Sequence, residues 1–260
     1  MREQSISDRE FEMLGLQPDA LLTAARRHET TLHRINVAPL SAMGGLSGDY
    51  LRWFDHLFLL TFFYDYCLDR SGEEQYPEAF FISANMYSEY RSYVATAFGD
   101  HGLDILDRRN AEQVYYQTIE KQWENPGEYN RTHPDYSQYY KKQILCLAHI
   151  ELLSLDNATE ELSGALINLY KNYWSLVLLI DDIMDVDRDI ASKTLTPMIA
   201  DFYAEHGVMP KCADADTLRQ KWMSEIDRLS PEFERAMSEL GAYDYLYIIG
   251  DLRDRLQSNG

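Results

Sequence analysis

The chain reads as an all-α protein, and three observations carry that expectation. Apolar residues recur mostly at helical spacing, only 13 glycines and 8 prolines punctuate 260 residues, and no run of alternating β-branched residues bounded by tight-turn dipeptides occurs. A single domain over 1–260 is expected, with 1–47 as an N-terminal helical segment packed on it.

In chain order, helices are expected over 8–31, 48–70, 77–98, 103–124, 136–154, 159–190, 194–206, 214–229 and 231–256. Breakers separate them at Ser71-Gly72, Gly99-Asp100, Asn125-Pro126-Gly127, Asp156-Asn157 and Ser230-Pro231. Ser230 before Pro231 and Glu232 reads as a fresh helix start, with proline at the first helical position. The stretch 123–135 is the most loop-like internal segment, a plain surface loop or a candidate lid.

Charge narrows the function classes. Asp and Glu number 43 against 24 Lys and Arg, a formal charge of −19 with a pI near 4.7. A nucleic-acid binder draws its affinity from neutralising phosphates with Lys and Arg, so this balance argues against one, and against an anionic membrane surface. An apolar share of 45% with 26% charged excludes disorder of the whole chain. Cys67, Cys146 and Cys212 are odd in number and widely spaced, which suits a reducing, cytoplasmic location and fits neither a disulfide framework nor a zinc ligand set. Residues 1–8 have no apolar core and do not read as a secretory signal. The apolar runs 57–67, interrupted by Asp65, and 173–180, stopped by Asp181, fall short of the roughly 18–20 residues needed to cross a bilayer, so no integral membrane association is expected.

The most informative segment is Asp181-Asp182-Ile183-Met184-Asp185-Val186-Asp187-Arg188-Asp189, which follows the apolar run Tyr173–Ile180. On a helical wheel Asp181, Asp182, Asp185 and Asp189 fall at about 0°, 100°, 40° and 80°, one face, while Asp187 points away at about 240°. Ile167, Tyr170, Trp174, Val177 and Leu178 extend the same side backwards. Like charges at i, i+4 repel, more so when desolvated, and a cation removes that cost; hard carboxylate ligands suit Mg²⁺. An EF-hand fails, because Ile190 and Thr196 stand where its Gly and Glu are required. Asp65 and Asp69 form a second i, i+4 pair at the C-terminal end of another apolar, aromatic helix, where the helix dipole does not favour carboxylates, and Asp55 lies within about 80° of them.

With these residues in view, the sequence resembles the class I isoprenoid synthase superfamily of prenyl diphosphate synthases, squalene and phytoene synthases and terpene cyclases. Leu179-Ile180-Asp181-Asp182-Ile183-Met184-Asp185-Val186 is similar to the family's DDxxD helix, and Asp189, Lys193 and Leu195-Thr196-Pro197 continue the pattern. Asp65-Tyr66-Cys67-Leu68-Asp69 is similar to the DxxxD first motif of the squalene/phytoene branch, and the resemblance spans about residues 50–200. It implies an antiparallel helical bundle of the isoprenoid synthase type with a central cavity. Across that cavity Asp65, Asp69, Asp181, Asp182, Asp185 and Asp189 would hold two or three Mg²⁺ ions, with Asp181, Asp182 and Asp185 catalytic. The ions would bridge to the diphosphate of a C10–C20 prenyl substrate, because carboxylates and diphosphate otherwise repel. Arg188, Lys193, Arg131, Lys141 and Lys142 are the basic side chains the resemblance implies for the diphosphate. Phe58, Phe62, Tyr170, Trp174 and Leu178 would line a dry cavity for the carbocation, each good aromatic contact contributing about 0.5–2 kcal/mol.

Departures from the family pattern separate its branches. The one Gly-Gly, at Gly44-Gly45, is followed by Leu46-Ser47-Gly48 with no cation, and only Arg70 follows the first acidic motif, which argues against chain elongation. The Asn, Ser/Thr, Glu metal motif of many cyclases is not evident. A terpene cyclase using one prenyl diphosphate is therefore expected first, and a prenyl transferase or head-to-head condensing enzyme second. From a different class stands a non-catalytic module whose acidic face binds a basic protein. A di-iron bundle is disfavoured because no Glu-x-x-His pair occurs. The oligomeric state is open at this stage, a homodimer included.

Overall fold

In this computed structural model the described residues are 5–16, 20–68, 77–155 and 159–258. They form helices α1 (Ile6–Met13), α2 (Ala20–Leu32), α3 (Ala38–Met43), α4 (Gly48–Leu68), α5 (Pro77–Glu120), α6 (Pro126–Thr132), α7 (Ile144–Leu152), α8 (Glu160–Ser192), α9 (Pro197–His206), α10 (Ala215–Leu240) and α11 (Asp244–Ser258). No strand occurs among the described residues. None of the described helices is long and apolar enough to cross a membrane.

The chain divides into two compact units, the first Met1–Asn110 with Leu145–Ser163, the second Ala111–Ile144 with Gly164–Gly260. The division passes through α5 and α8, each of which contributes to both units.

The first unit has a core of Leu57, Leu60 and Phe63 from α4, Ile82, Met86, Tyr90 and Val94 from α5, and Leu145, Ala148 and Leu152 from α7. Phe11, Leu21, Leu22 and Ala25 bring α1 and α2 onto it. Ser5 caps α1, its hydroxyl accepting from the Asp8 amide at 3.1 Å. Glu29 of α2 does the same from a distance, accepting from the Ile6 and Ser7 amides at 2.7 and 3.0 Å, so a carboxylate sits at the positive end of the α1 dipole. The helix expected over 8–31 is thus two, with Gly15 at φ +66° beyond the end of α1. Residues 33–43, unassigned from sequence, form a turn of π-helix and α3.

Three further findings concern breaks. Gly99 breaks α5 as expected, with φ 64° and ψ −155°, a conformation closed to L side chains, yet the helix resumes at once. The segment 123–135 is not a loose lid: Pro126–Thr132 is helical, Asn125 caps it, Tyr129 is fully buried, and Asn130 Nδ2 donates to the Ala200 carbonyl of α9 at 3.3 Å. Ser230-Pro231 does not start a helix; α10 runs through it and ends at Gly241 in the left-handed conformation. Leu218, Trp222, Ile226, Leu229, Phe233 and Met237 are buried along one continuous stripe that crosses the proline in phase. An interior proline costs a helix about 3 kcal/mol, and burying each large apolar side chain returns about 1.5–3 kcal/mol, so the stripe decides. The helix expected over 136–154 is 3₁₀ over Tyr136–Gln143 before it becomes α7.

In the second unit α8 supplies the centre. Tyr170 and Tyr173 pack against Tyr245 of α11, with ring centroids 5.9 and 4.7 Å away, and the Tyr170 and Tyr245 hydroxyls are 2.6 Å apart. Phe233 of α10 closes on Tyr173 at 6.0 Å.

Candidate functional site

The acidic segment lies on α8, as its periodicity requires, and burial sorts its members by wheel position. Asp182 and Asp189, near 100° and 80°, are buried; Asp185 is half-buried; Asp181, at the flank, and Asp187 are exposed. Asp187 pairs with Arg219 of α10. Arg188, its side chain 71% exposed, bonds Asp185 Oδ2 at 2.6 Å one turn back.

Two residues from other elements complete this group. Glu120, the last residue of α5, is buried, and its carbonyl accepts from the Leu195 amide at 2.9 Å. Lys142 extends from the 3₁₀ segment: its Nζ is 2.9 Å from Glu120 Oε1 and 3.7 Å from Asp182 Oδ1, and it donates to the Tyr139 hydroxyl at 3.2 Å. The ammonium also lies 4.9 Å from the Tyr139 ring centroid. Asp182 Oδ2 is buried without a hydrogen-bond partner, and so is the hydroxyl of Tyr129.

Electrostatics follow from that geometry. Burial, then the neighbouring Asp189, Glu120 and Asp185, push the Asp182 carboxyl well above the ordinary carboxylate range. Burial lifts Asp189 to about 7, although Lys142 and Arg188 pull it down. His133, buried and near Lys141 and Lys142, is lowered to about 3, burial being the larger cause. Carboxylates outnumber cations here, an excess of negative charge that a divalent cation would relieve.

The other expected residues are placed as follows. Asp65 is exposed near the end of α4, in the first unit, and Asp69 lies outside the described residues. Asp55 is hydrogen-bonded to His33 Nδ1 at 2.7 Å, and burial raises it to about 6. Arg131 pairs with Glu128 and lies 3.2 Å from the Tyr115 hydroxyl, and Lys141 Nζ donates to the Thr132 carbonyl at 3.0 Å. Lys193 is exposed at φ +58°, where the chain leaves α8 with the Thr194 amide donating to the Asp189 carbonyl at 2.9 Å. Tyr170, Trp174 and Leu178 are buried on α8. In the first unit, Phe58 is buried against Phe54 at 4.7 Å, and Phe62 is half-buried and stacked on His28 at 4.2 Å.

Sequence reasoning missed Glu120 altogether. Its signal was a polar stripe, Gln113, Gln117 and Glu120, which is buried in the structure but reads as a solvated face from sequence. A third feature was also missed. Among the described residues, the one group of three metal-ligating side chains whose ligand atoms lie within 4.8 Å of one another is Glu10, His56 and Glu89, in the first unit. The aspartates of α8 are spread more widely. Beside Glu10, His56 and Glu89 a cavity of about 690 Å³ is lined by Arg9, Glu29, His33, Arg52, Trp53 and His56, among others. No protein-family model matches the chain, and neither a curated protein sequence nor a solved structure matches it.

Proposed function

We propose that the chain is a class I isoprenoid synthase that ionises an allylic prenyl diphosphate of C10–C20 length with Mg²⁺, acting as a terpene cyclase. The observation that carries this reading is the under-compensated acid at α8: Asp182 of α8 and Glu120 of α5 are buried against one ammonium, Asp189 is buried within its electrostatic reach, and Asp182 Oδ2 lacks a hydrogen-bond partner. An all-oxygen donor set of this kind fits a hard divalent cation.

Asp181, Asp182, Asp185 and Asp189 would hold the ions on this helix. Bound Mg²⁺ supplies charge neutralisation for the diphosphate and for the negative charge that develops on it as the allylic C–O bond breaks. The chain's own groups do the rest. Lys142 and Arg188 bring positive charge to the same face, so the departing diphosphate meets donors as well as acids. Tyr170, Trp174 and Leu178 are buried on the same helix, so the flank of the acids is apolar and dry, as a reaction that must exclude water requires.

Incubation with C10, C15 and C20 prenyl diphosphates plus Mg²⁺ tests the reading, with hydrocarbon and diphosphate products analysed separately. Hydrocarbon or alcohol from one substrate with stoichiometric diphosphate is expected. A longer conjugate that requires an added acceptor would make the chain a prenyl transferase. Absence of diphosphate release with all three would leave an acidic interaction module.

A further inference from the structure

We propose that Glu10, His56 and Glu89 form a binding site for a divalent transition-metal ion of the Zn²⁺ class, a site separate from the acidic face of α8. The three residues come from α1, α4 and α5 and offer one imidazole nitrogen and two carboxylate oxygens, all within 4.8 Å of one another. Glu10 is fully buried, His56 is 2% exposed, and the Glu89 side chain is 26% exposed.

The structure marks where the cation belongs. A single nitrogen, Arg9 Nη2, lies 2.6 Å from Glu10 Oε1 and 2.6 Å from Glu89 Oε2. Two carboxylates from different helices thus already hold one positive centre between them. Two of the ligands are also oriented from behind. His56 Nε2 donates to the Met86 carbonyl at 2.9 Å, which fixes the tautomer and keeps the lone pair on Nδ1, the atom a metal would take. Asn85 Nδ2 donates to Glu10 Oε2 at 2.7 Å, leaving Oε1 facing the arginine. Imidazole held by a carbonyl and carboxylate held by an amide are the outer contacts that position metal ligands.

Chemistry selects the ion. One nitrogen with two oxygens suits Zn²⁺, Mn²⁺ or Fe²⁺, whereas Mg²⁺ prefers oxygen alone. With bonds near 2.1 Å a tetrahedral ion separates its ligands by about 3.4 Å, so atoms that lie within 4.8 Å of one another need close in by no more than about 1.4 Å once the guanidinium leaves. Arg9 has room to leave: its side chain is one-third exposed and forms part of the wall of the 690 Å³ cavity, which His56 also lines. A divalent ion then neutralises both carboxylates, where Arg9 neutralises one charge of the two.

Calorimetric titration of the full chain with Zn²⁺, and the visible spectrum of the Co²⁺ form, test the assignment. One tight Zn²⁺ per chain is expected, with a nitrogen-ligated Co²⁺ spectrum. Arg9→Gln removes the competing cation and should tighten binding about tenfold, while His56→Ala and Glu89→Gln should each weaken it about 10–100-fold. Glu89→Gln keeps the Arg9–Glu10 pair and so reports even where Arg9→Gln fails to fold. Asp182→Asn leaves Zn²⁺ binding unchanged, which separates this site from the acidic face of α8. Absence of stoichiometric Zn²⁺ from the wild-type chain, or binding unaltered in both the His56 and Glu89 variants, overturns the proposal and leaves Arg9 as a permanent structural clamp.

Discussion

Two groups of buried and half-buried carboxylates in this protein each hold one basic side chain, and they differ in how well that side chain satisfies them. In the first unit Arg9 reaches Glu10 and Glu89 at 2.6 Å each, and Asn85 completes Glu10. In the second, Lys142 reaches Glu120 at 2.9 Å but Asp182 only at 3.7 Å, and Asp182 Oδ2 has no hydrogen-bond partner. The guanidinium is a planar fork with several donors, and one of its nitrogens serves two acids at bonding distance. The ammonium is a compact point charge, and it shares the second group with Asp189 as well. The difference teaches that burial of acid alone does not define a site: a satisfied cluster is compact and pre-shaped, while an unsatisfied one stores protons and favours an added cation.

The comparison breaks most sharply on turnover. Asp182→Asn should reduce Mg²⁺-dependent diphosphate release by at least 10²–10³-fold with the circular dichroism unchanged, the scale set by loss of one group that stabilises developing charge. Turnover that survives the change would reduce the acidic face to a structural feature. Next in size, Lys142→Met removes the one ammonium among Glu120, Asp182 and Tyr139 and should cost about 3 kcal/mol, read from denaturant unfolding, with partial recovery in Mg²⁺. Asn85→Ala strips the buried Glu10 of one donor and should cost about 2 kcal/mol; a neutral result would mean that the first cluster is less tightly satisfied than its distances indicate.

The smallest effect is a pH slope. Asp189 has its folded-state value raised to about 7, so the fold holds a proton there that the unfolded chain releases near the ordinary value of 3.8. Its contribution is favourable below the unfolded value and is lost as pH rises through about 7, by at most about 1.4 kcal/mol per pH unit. Between pH 5 and 7 the wild-type chain should therefore lose stability relative to Asp189→Asn as pH rises, a difference between two thermal melts in which the opposite slope of buried histidines such as His133 cancels. A carboxylate held ionised in a surface ion pair would give the opposite sign, with stability rising as pH rises over the acidic range.

Much of this was legible in the sequence. The wheel positions of Asp181, Asp182, Asp185, Asp187 and Asp189 are local quantities, and burial in α8 follows them, with Asp187 outward and Asp182 and Asp189 inward. Gly99 also declared itself, because a positive φ needs no tertiary information. Ser230-Pro231 misled, since a propensity of a few kcal/mol was weighed without the apolar stripe that continues through it.

What the sequence determined by itself is the helical class and the face on which the acids of α8 gather, because a repeat of 3.6 residues is written in neighbouring positions. What only the tertiary structure decided is which distant groups meet those acids or each other. Glu120 and Lys142 join Asp182, and Glu10, His56 and Glu89 converge around Arg9, from positions up to 79 residues apart in sequence. Such convergence depends on how helices pack, and side-chain packing is a non-local sum of burial and charge that no short window of sequence contains.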